Sequence, residues 1–232
     1  MIRARWRLAA ACAAAALTTS CSMHVTGIGP QPRDHAPSSD LPSAQAMPSP
    51  PPEKPRLREA PTETHQGKGN GTVTLTWPTD VAGFLTFDRP KCNSNVAVHT
   101  DGAEGLPINA IGKYHGTTWF NVSPGDERAH KLDIEANAAW TATIADYRSV
   151  PTVETGKPYS AHGDAVVKIP AGATLAKISS KTPGNTIIWT LTDGELDLAV
   201  NEIGNYEGEL PVAGTTYVHV NAYESNWTLT VS

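Results

Sequence analysis

The sequence predicts an all-β protein: two tandem β-sandwich modules, jelly-roll-like, after a disordered proline-rich tether. Three observations carry this. From residue 71 onward the chain repeats itself with an offset of 92. Apolar and polar residues alternate with period two at matching places in both copies. No apolar stripe of helical period runs longer than about two turns.

The chain opens like an exported protein. Arg3, Arg5 and Arg7 precede an apolar run from Leu8 to Leu17, and the small residues Thr18-Thr19-Ser20-Cys21-Ser22 follow. A cationic start, a short apolar core and a small-residue exit predict a secretory signal over residues 1–20, and the apolar core covers about half a bilayer span. The residues around Cys21 resemble a bacterial lipobox, with Thr18 where such motifs favour leucine. That resemblance implies a diacylglycerol on Cys21 and an anchor on the outer face of the cell membrane. Cys12 would leave too short an apolar core for processing. Cys92 is then the one remaining cysteine and reads as a small half-buried residue.

Residues 21–70 read as the linker. Between residues 22 and 70 there is no Phe, Trp or Tyr, and ten of the 19 prolines lie between Pro30 and Pro61. Such a segment cannot bury enough apolar surface to offset chain entropy, and it is expected to be disordered and partly polyproline II. Its ~45 residues would average roughly 40 Å as a coil and approach about 140 Å fully extended. Either length lifts a domain off the membrane toward the cell wall.

The body divides into module 1 (71–147), a connection (148–160) holding Pro151 and Pro158, and module 2 (161–232). Residues 71–232 carry 10 basic and 18 acidic side chains, a balance of −8, so a nucleic-acid footprint is absent. Val73, Leu75 and Trp77 alternate with polar residues, and Ala165, Val167 and Ile169 repeat the pattern. Trp140, Ala142 and Ile144 form another inward set, matched by Trp227, Leu229 and Val231.

The longest repeated motif pairs Asn109-x-Ile111-Gly112-x-Tyr114-x-Gly116 with Asn201-x-Ile203-Gly204-x-Tyr206-x-Gly208. Gly71 pairs with Gly163, Leu106 with Leu198, and Asp101-Gly102 with Asp193-Gly194. Gly112 and Gly204 are expected to supply a positive-φ turn, Ile111 and Ile203 to pack inward, and Tyr114 and Tyr206 to bury their rings with the hydroxyls on backbone.

Gly163-Asp164, a strand ending in Pro170, Asp193-Gly194 before Leu198-x-Val200-Asn201, the Ile203-Gly204 motif and the closing Trp227 strand together resemble a secreted β-sandwich module of actinobacterial lipoproteins. Those modules are similar in pattern to bacterial pre-peptidase C-terminal domains. The resemblance spans residues 71–232 and is stronger in the second copy; the first carries an insertion near Pro124 to Arg128. It implies a fold and an envelope location, and no chemistry.

Catalytic patterns are lacking. No Gly-x-Ser-x-Gly, His-x-His or His-Glu-x-x-His occurs, and His99, His115, His130, His162 and His219 are scattered through the body. A non-enzyme with no cofactor, no metal and no catalytic residue is expected. Asp193, Glu195 and Asp197 raise the question of calcium, but Ala103 and Gly105 stand at the last two positions in the first copy, and a solvated hairpin is the simpler reading.

Trp119 and Asn121 are the ligand-binding candidates. Thr118, Phe120 and Val122 align with Leu210, Val212 and Gly214, which places the neighbouring parity inward and Trp119 and Asn121 outward. An exposed indole stacks on a pyranose ring, and an asparagine beside it offers both donor and acceptor. The expected function is a lipid-anchored envelope protein whose modules bind a wall polysaccharide or a protein partner. The alternative is an accessory part with no ligand of its own, which a Trp119 buried between the modules would favour.

Overall fold

The computed structural model describes residues 57–91, 93–123, 127–222 and 224–232. The signal segment, Cys21, the linker up to residue 56, Cys92 and residues 124–126 of the predicted insertion lie outside the described residues.

Module 1 contains β1 (Glu63–Lys68), β2 (Gly71–Thr74), β3 (Gly83–Arg89), β4 (Asn95–Thr100), β5 (Ile108–Ile111), β6 (Tyr114–Phe120), β7 (Lys131–Glu135) and β8 (Ala139–Ala145). Its two antiparallel sheets run β1-β8-β3-β6 and β2-β7-β4-β5. Module 2 contains β9 (Tyr159–His162), β10 (Ala165–Lys168), β11 (Leu175–Lys181), β12 (Asn185–Thr192), β13 (Glu195–Ile203), β14 (Tyr206–Pro211), β15 (Thr215–Asn221) and β16 (Asn226–Val231). Its sheets run β9-β16-β11-β14 and β10-β15-β12-β13. Adding eight to each strand number of the first module reproduces the second. Each module is an eight-stranded jelly roll, the fold class that the duplicated alternating pattern predicts.

Period-two burial builds each core. Trp140, Ala142 and Ile144 face inward from β8 onto Phe87, Val98, Leu132 and Ile134; Trp227, Leu229 and Val231 do so from β16 onto Ile178, Ile188, Val218 and Val220. Full burial of such a side chain contributes about 1.5–3 kcal/mol. The two indoles are tied alike: Trp140 Nε1 donates to the Gly69 carbonyl at 2.9 Å and Trp227 Nε1 to the Gly163 carbonyl at 2.8 Å. Both glycines turn the chain at positive φ, +79° and +74°. The structural partner of Gly163 is therefore Gly69 rather than Gly71.

Two expectations are corrected here. The span assigned to the linker, 21–70, includes β1, so module 1 begins before residue 71. The reason is chemical: the inward positions of β1 are Glu63, His65 and Gly67, with no apolar side chain to signal a strand. The Trp140 indole fills the space where a Gly67 Cβ would lie. Residues ahead of β1 are also docked, with Ala60 N donating to Asp146 Oδ2 at 2.8 Å. Module 2 likewise starts at Tyr159, inside the span assigned to the connection.

Ile111 and Ile203 point outward, 66% and 83% exposed, against the inward packing expected of them. On β5 the inward positions are Ile108 and Ala110, so Ile111 takes the opposite parity just before the turn. Gly112 and Gly204 do form that turn, at φ +85° and +89°. The tyrosines that follow lie along their strands over Gly116 and Gly208, where any Cβ would collide with the hydroxyl. Their hydroxyls are not on backbone as expected. Tyr114 reaches a side chain of the other module, and Tyr206 is half-buried against the second core.

Candidate functional site

The two jelly rolls meet through the outer face of β3 and β6 in module 1 and the outer face of β10, β12 and β15 in module 2. Ala82, Phe84, Trp119 and Val122 pack there against Val166, Leu191 and Tyr217, with Val150 of the connection at the edge. Ring centroids lie 5.8 Å apart for Phe84–Trp119, 5.3 Å for Phe84–Tyr217 and 5.5 Å for the edge-on pair Trp119–His219. Along one side of the contact β6 runs beside the β9–β10 turn, and Thr117 N donates to the Asp164 carbonyl at 3.0 Å. Tyr114 Oη donates to Asp164 Oδ2 at 2.8 Å, and Ala222 N donates to Oδ1 at 3.0 Å. Burial pushes the Asp164 carboxyl up in spite of these two donors, and burial together with the adjacent carboxylate pushes the Tyr114 phenol well up.

Trp119 does face away from the core of its own module, but module 2 covers it. It is 6% exposed, so the outward, solvent-facing placement expected of it is corrected. Packed against Phe84 and His219 and buried, the ring offers no open face to a sugar. Asn121 is fully buried as well. It sits at φ +53° and accepts from Ala129 N at 2.8 Å, which makes it a brace of the β6–β7 connection. His219 is 3% exposed, has no hydrogen-bond partner on either ring nitrogen among the described residues, and burial pushes its pKa down to about 4.

Where the junction reaches the surface, a cleft of about 390 Å³ opens between the modules. Module 1 contributes Asp88, Lys113 and His115, module 2 contributes His162 and Glu224, and Tyr114 lies between them. His115 Nδ1 is 3.2 Å from Asp88 Oδ1 and His162 Nδ1 is 3.1 Å from Asn226 Oδ1. Both partners are oxygen acceptors, so each neutral ring carries its proton on Nδ1 and keeps Nε2 as an acceptor. The module 1 lip is held from within. The buried Arg89 guanidinium donates to the carbonyls of Ser94 and Asn95, each at 3.0 Å, and to that of Gly112. Carboxylates, imidazole acceptors and an ammonium donor around a partly apolar floor suit a ligand rich in hydroxyl or amide groups.

Among the described residues no group of three His, Cys, Asp or Glu side chains is placed to hold a metal ion. Asp193, Glu195 and Asp197 are all exposed on the β12–β13 hairpin, whose two turn residues Asp193 and Gly194 sit at φ +50° and +77°. That is the backbone of a tight type I′ turn.

The cleft residues were not visible as a site, because they come from strand ends and turns of different modules. One signal does mark them: the copies diverge there. Arg89, Lys113 and His115 stand opposite Lys181, Asn205 and Glu207, because β6 abuts the other module whereas the outer face of β14 meets solvent.

No family model matches the chain, and no curated protein does. Among solved structures the chain is similar to one in the X-ray structure of the entire lipid-containing bacteriophage PM2, with 14% identity, 70% of this chain and 49% of that chain covered, and a TM-score of 0.25. The M60 catalytic domain with the CBM51-1 and CBM51-2 domains from Clostridium perfringens ZmpB gives 6% identity, coverage of 73% and 34%, and a TM-score of 0.24. The major capsid protein P2 of bacteriophage PM2 gives 11%, coverage of 78% and 96%, and a TM-score of 0.20. The chain spans about half the length of the first of these. Likenesses at such TM-scores carry no argument about what this protein does.

Proposed function

We propose that the protein is a lipid-anchored, non-catalytic binding protein of the cell envelope. Cys21 holds it to the outer face of the membrane, the proline-rich segment lifts the body into the wall, and the inter-module cleft takes a wall polysaccharide. The cleft carries this reading: it presents hydrogen-bonding side chains from both modules around one opening of about 390 Å³, a volume in the range of small-ligand sites. The lipobox-like residues around Cys21 support the anchor.

Purified residues 57–232 pulled down on native cell walls and screened on a glycan panel test it. Binding that is lost in Asp88→Asn with Glu224→Gln, at an unchanged melting temperature, places the ligand in the cleft. Binding unaffected by the pair moves it elsewhere on the body. A second reading, an accessory protein with no ligand of its own, is favoured by Trp119 lying buried between the modules. Absence of binding to walls, glycans and envelope proteins would support it. Metabolic labelling with palmitate, lost in Cys21→Ser, tests the anchor.

A further inference from the structure

We propose that His219 makes the module junction acid-sensitive: a proton on its imidazole separates the two modules while each jelly roll stays folded, which takes the cleft apart and releases its occupant. The release rests on the cleft reading above; the separation does not.

His219 sits at the centre of the contact, in register with Val166 on β10 and Trp189 on β12, and with its ring against Trp119 from β6. Among the described residues no acceptor reaches either nitrogen of its ring. Module 1 presents Trp119 and Phe84, and the flanking strands present Val166 and Trp189. Tyr217, on the same face of β15, has its phenol pushed up to about 12 and is neutral at any relevant pH. The two buried carboxylates of the region are already engaged, Asp164 by Tyr114 and Ala222 and Asp146 by Arg148 and Ala60. Lys168 lies over the Tyr147 ring and would repel an imidazolium.

Opening the junction hydrates His219 and leaves the two apolar clusters inside the modules untouched, because its neighbours belong to a third, separate cluster. The closed form disfavours the proton, so it is fully favoured above the ordinary histidine value and weakens as pH falls from about 6.5 toward about 4. Between those limits the closed-to-open ratio falls roughly thirtyfold by pH 5 and roughly 150-fold by pH 4. The cleft has walls from both modules and cannot survive their separation.

The experiment follows residues 57–232, which hold the sixteen strands of the described residues, from pH 7.5 to pH 4 by small-angle scattering, tryptophan fluorescence and far-ultraviolet circular dichroism. The wild-type body is expected to expand reversibly below pH 6 with its strand signal intact. His219→Phe, or His219→Gln should the larger ring disturb packing, is expected to stay compact to pH 4, and Asp164→Asn to expand like wild type. No expansion by pH 4, the same midpoint with and without His219, loss of the transition in Asp164→Asn, or loss of the strand signal on expansion would each overturn the proposal. Glycan binding measured alongside should fall with the expansion and persist at pH 5 in His219→Phe. Expansion with binding retained would discard the cleft reading and leave the junction inference standing.

Discussion

Tyr114 of the first module and Asp164 of the second share a buried hydrogen bond of 2.8 Å, and through it the most specific internal motif of the chain serves the contact between its two copies. Tyr206, the equivalent of Tyr114, packs half-buried on the core of its own module.

Tyr114→Phe keeps the ring over Gly116 and removes this donor. Asp164 then has Ala222 N alone, and a buried carboxylate short of a partner costs about 1–3 kcal/mol. Tyr206→Phe is expected to change stability by less than about 0.5 kcal/mol. Urea denaturation of both variants at pH 7 checks the contrast.

Asp146 is pulled down to about 2, chiefly by the Arg148 guanidinium, which it meets at 2.6 Å, and by the Ala60 and Arg148 amides. A carboxyl lowered in the fold stabilises above its ordinary value and ceases to as pH falls from 3.8 toward 2. With the guanidinium half in solvent, the expected contribution is about 1 kcal/mol. The difference in urea midpoint between wild type and Asp146→Asn should be present in full at pH 6 and largely lost by pH 2.

Gly67→Ala places a methyl group where the Trp140 indole lies and is expected to destabilise by about 1–3 kcal/mol through overpacking. At Gly71 a Cβ would stand an ordinary 3.6 Å from the same indole, so the same substitution there is mild. Calorimetric melting of the two variants tests whether β1 is a built part of the sandwich.

Arg89→Met leaves the Ser94, Asn95 and Gly112 carbonyls without the buried guanidinium that they share. A loss of about 3 kcal/mol is expected, together with faster amide exchange in the β3–β4 and β5–β6 turns. Lys181→Met, at the matching exposed position of module 2, is expected to be neutral within about 0.5 kcal/mol.

Legibility followed the source of the stabilising interaction. Where a strand is held by its own apolar parity, as in β8 and β16 with Trp140 and Trp227, the pattern and its duplication were plain. β1 was hidden because the side chain that fills its inner face belongs to another strand. Ile111 and Ile203 look like core residues by type, and only the turn geometry turns them outward. Parity did place Trp119 off its own core, but a single strand cannot say whether that face meets water or a second module. The cleft was illegible for the same reason, since its walls lie far apart in sequence.

The two modules touch through different faces of one fold, and a contact of that kind is not self-complementary. Repeated from chain to chain, it would set the β9-β16-β11-β14 face of one molecule on the β2-β7-β4-β5 face of the next and grow a head-to-tail ring or filament. Both end faces are unsuited to it. One carries Ser160 bonded to Thr228 and Lys177 paired with Glu207; the other carries Thr72 and Lys131 bonded to Asp133. Polar pairs of this sort disfavour such stacking, and apolar substitutions on both faces would be the shortest route to it.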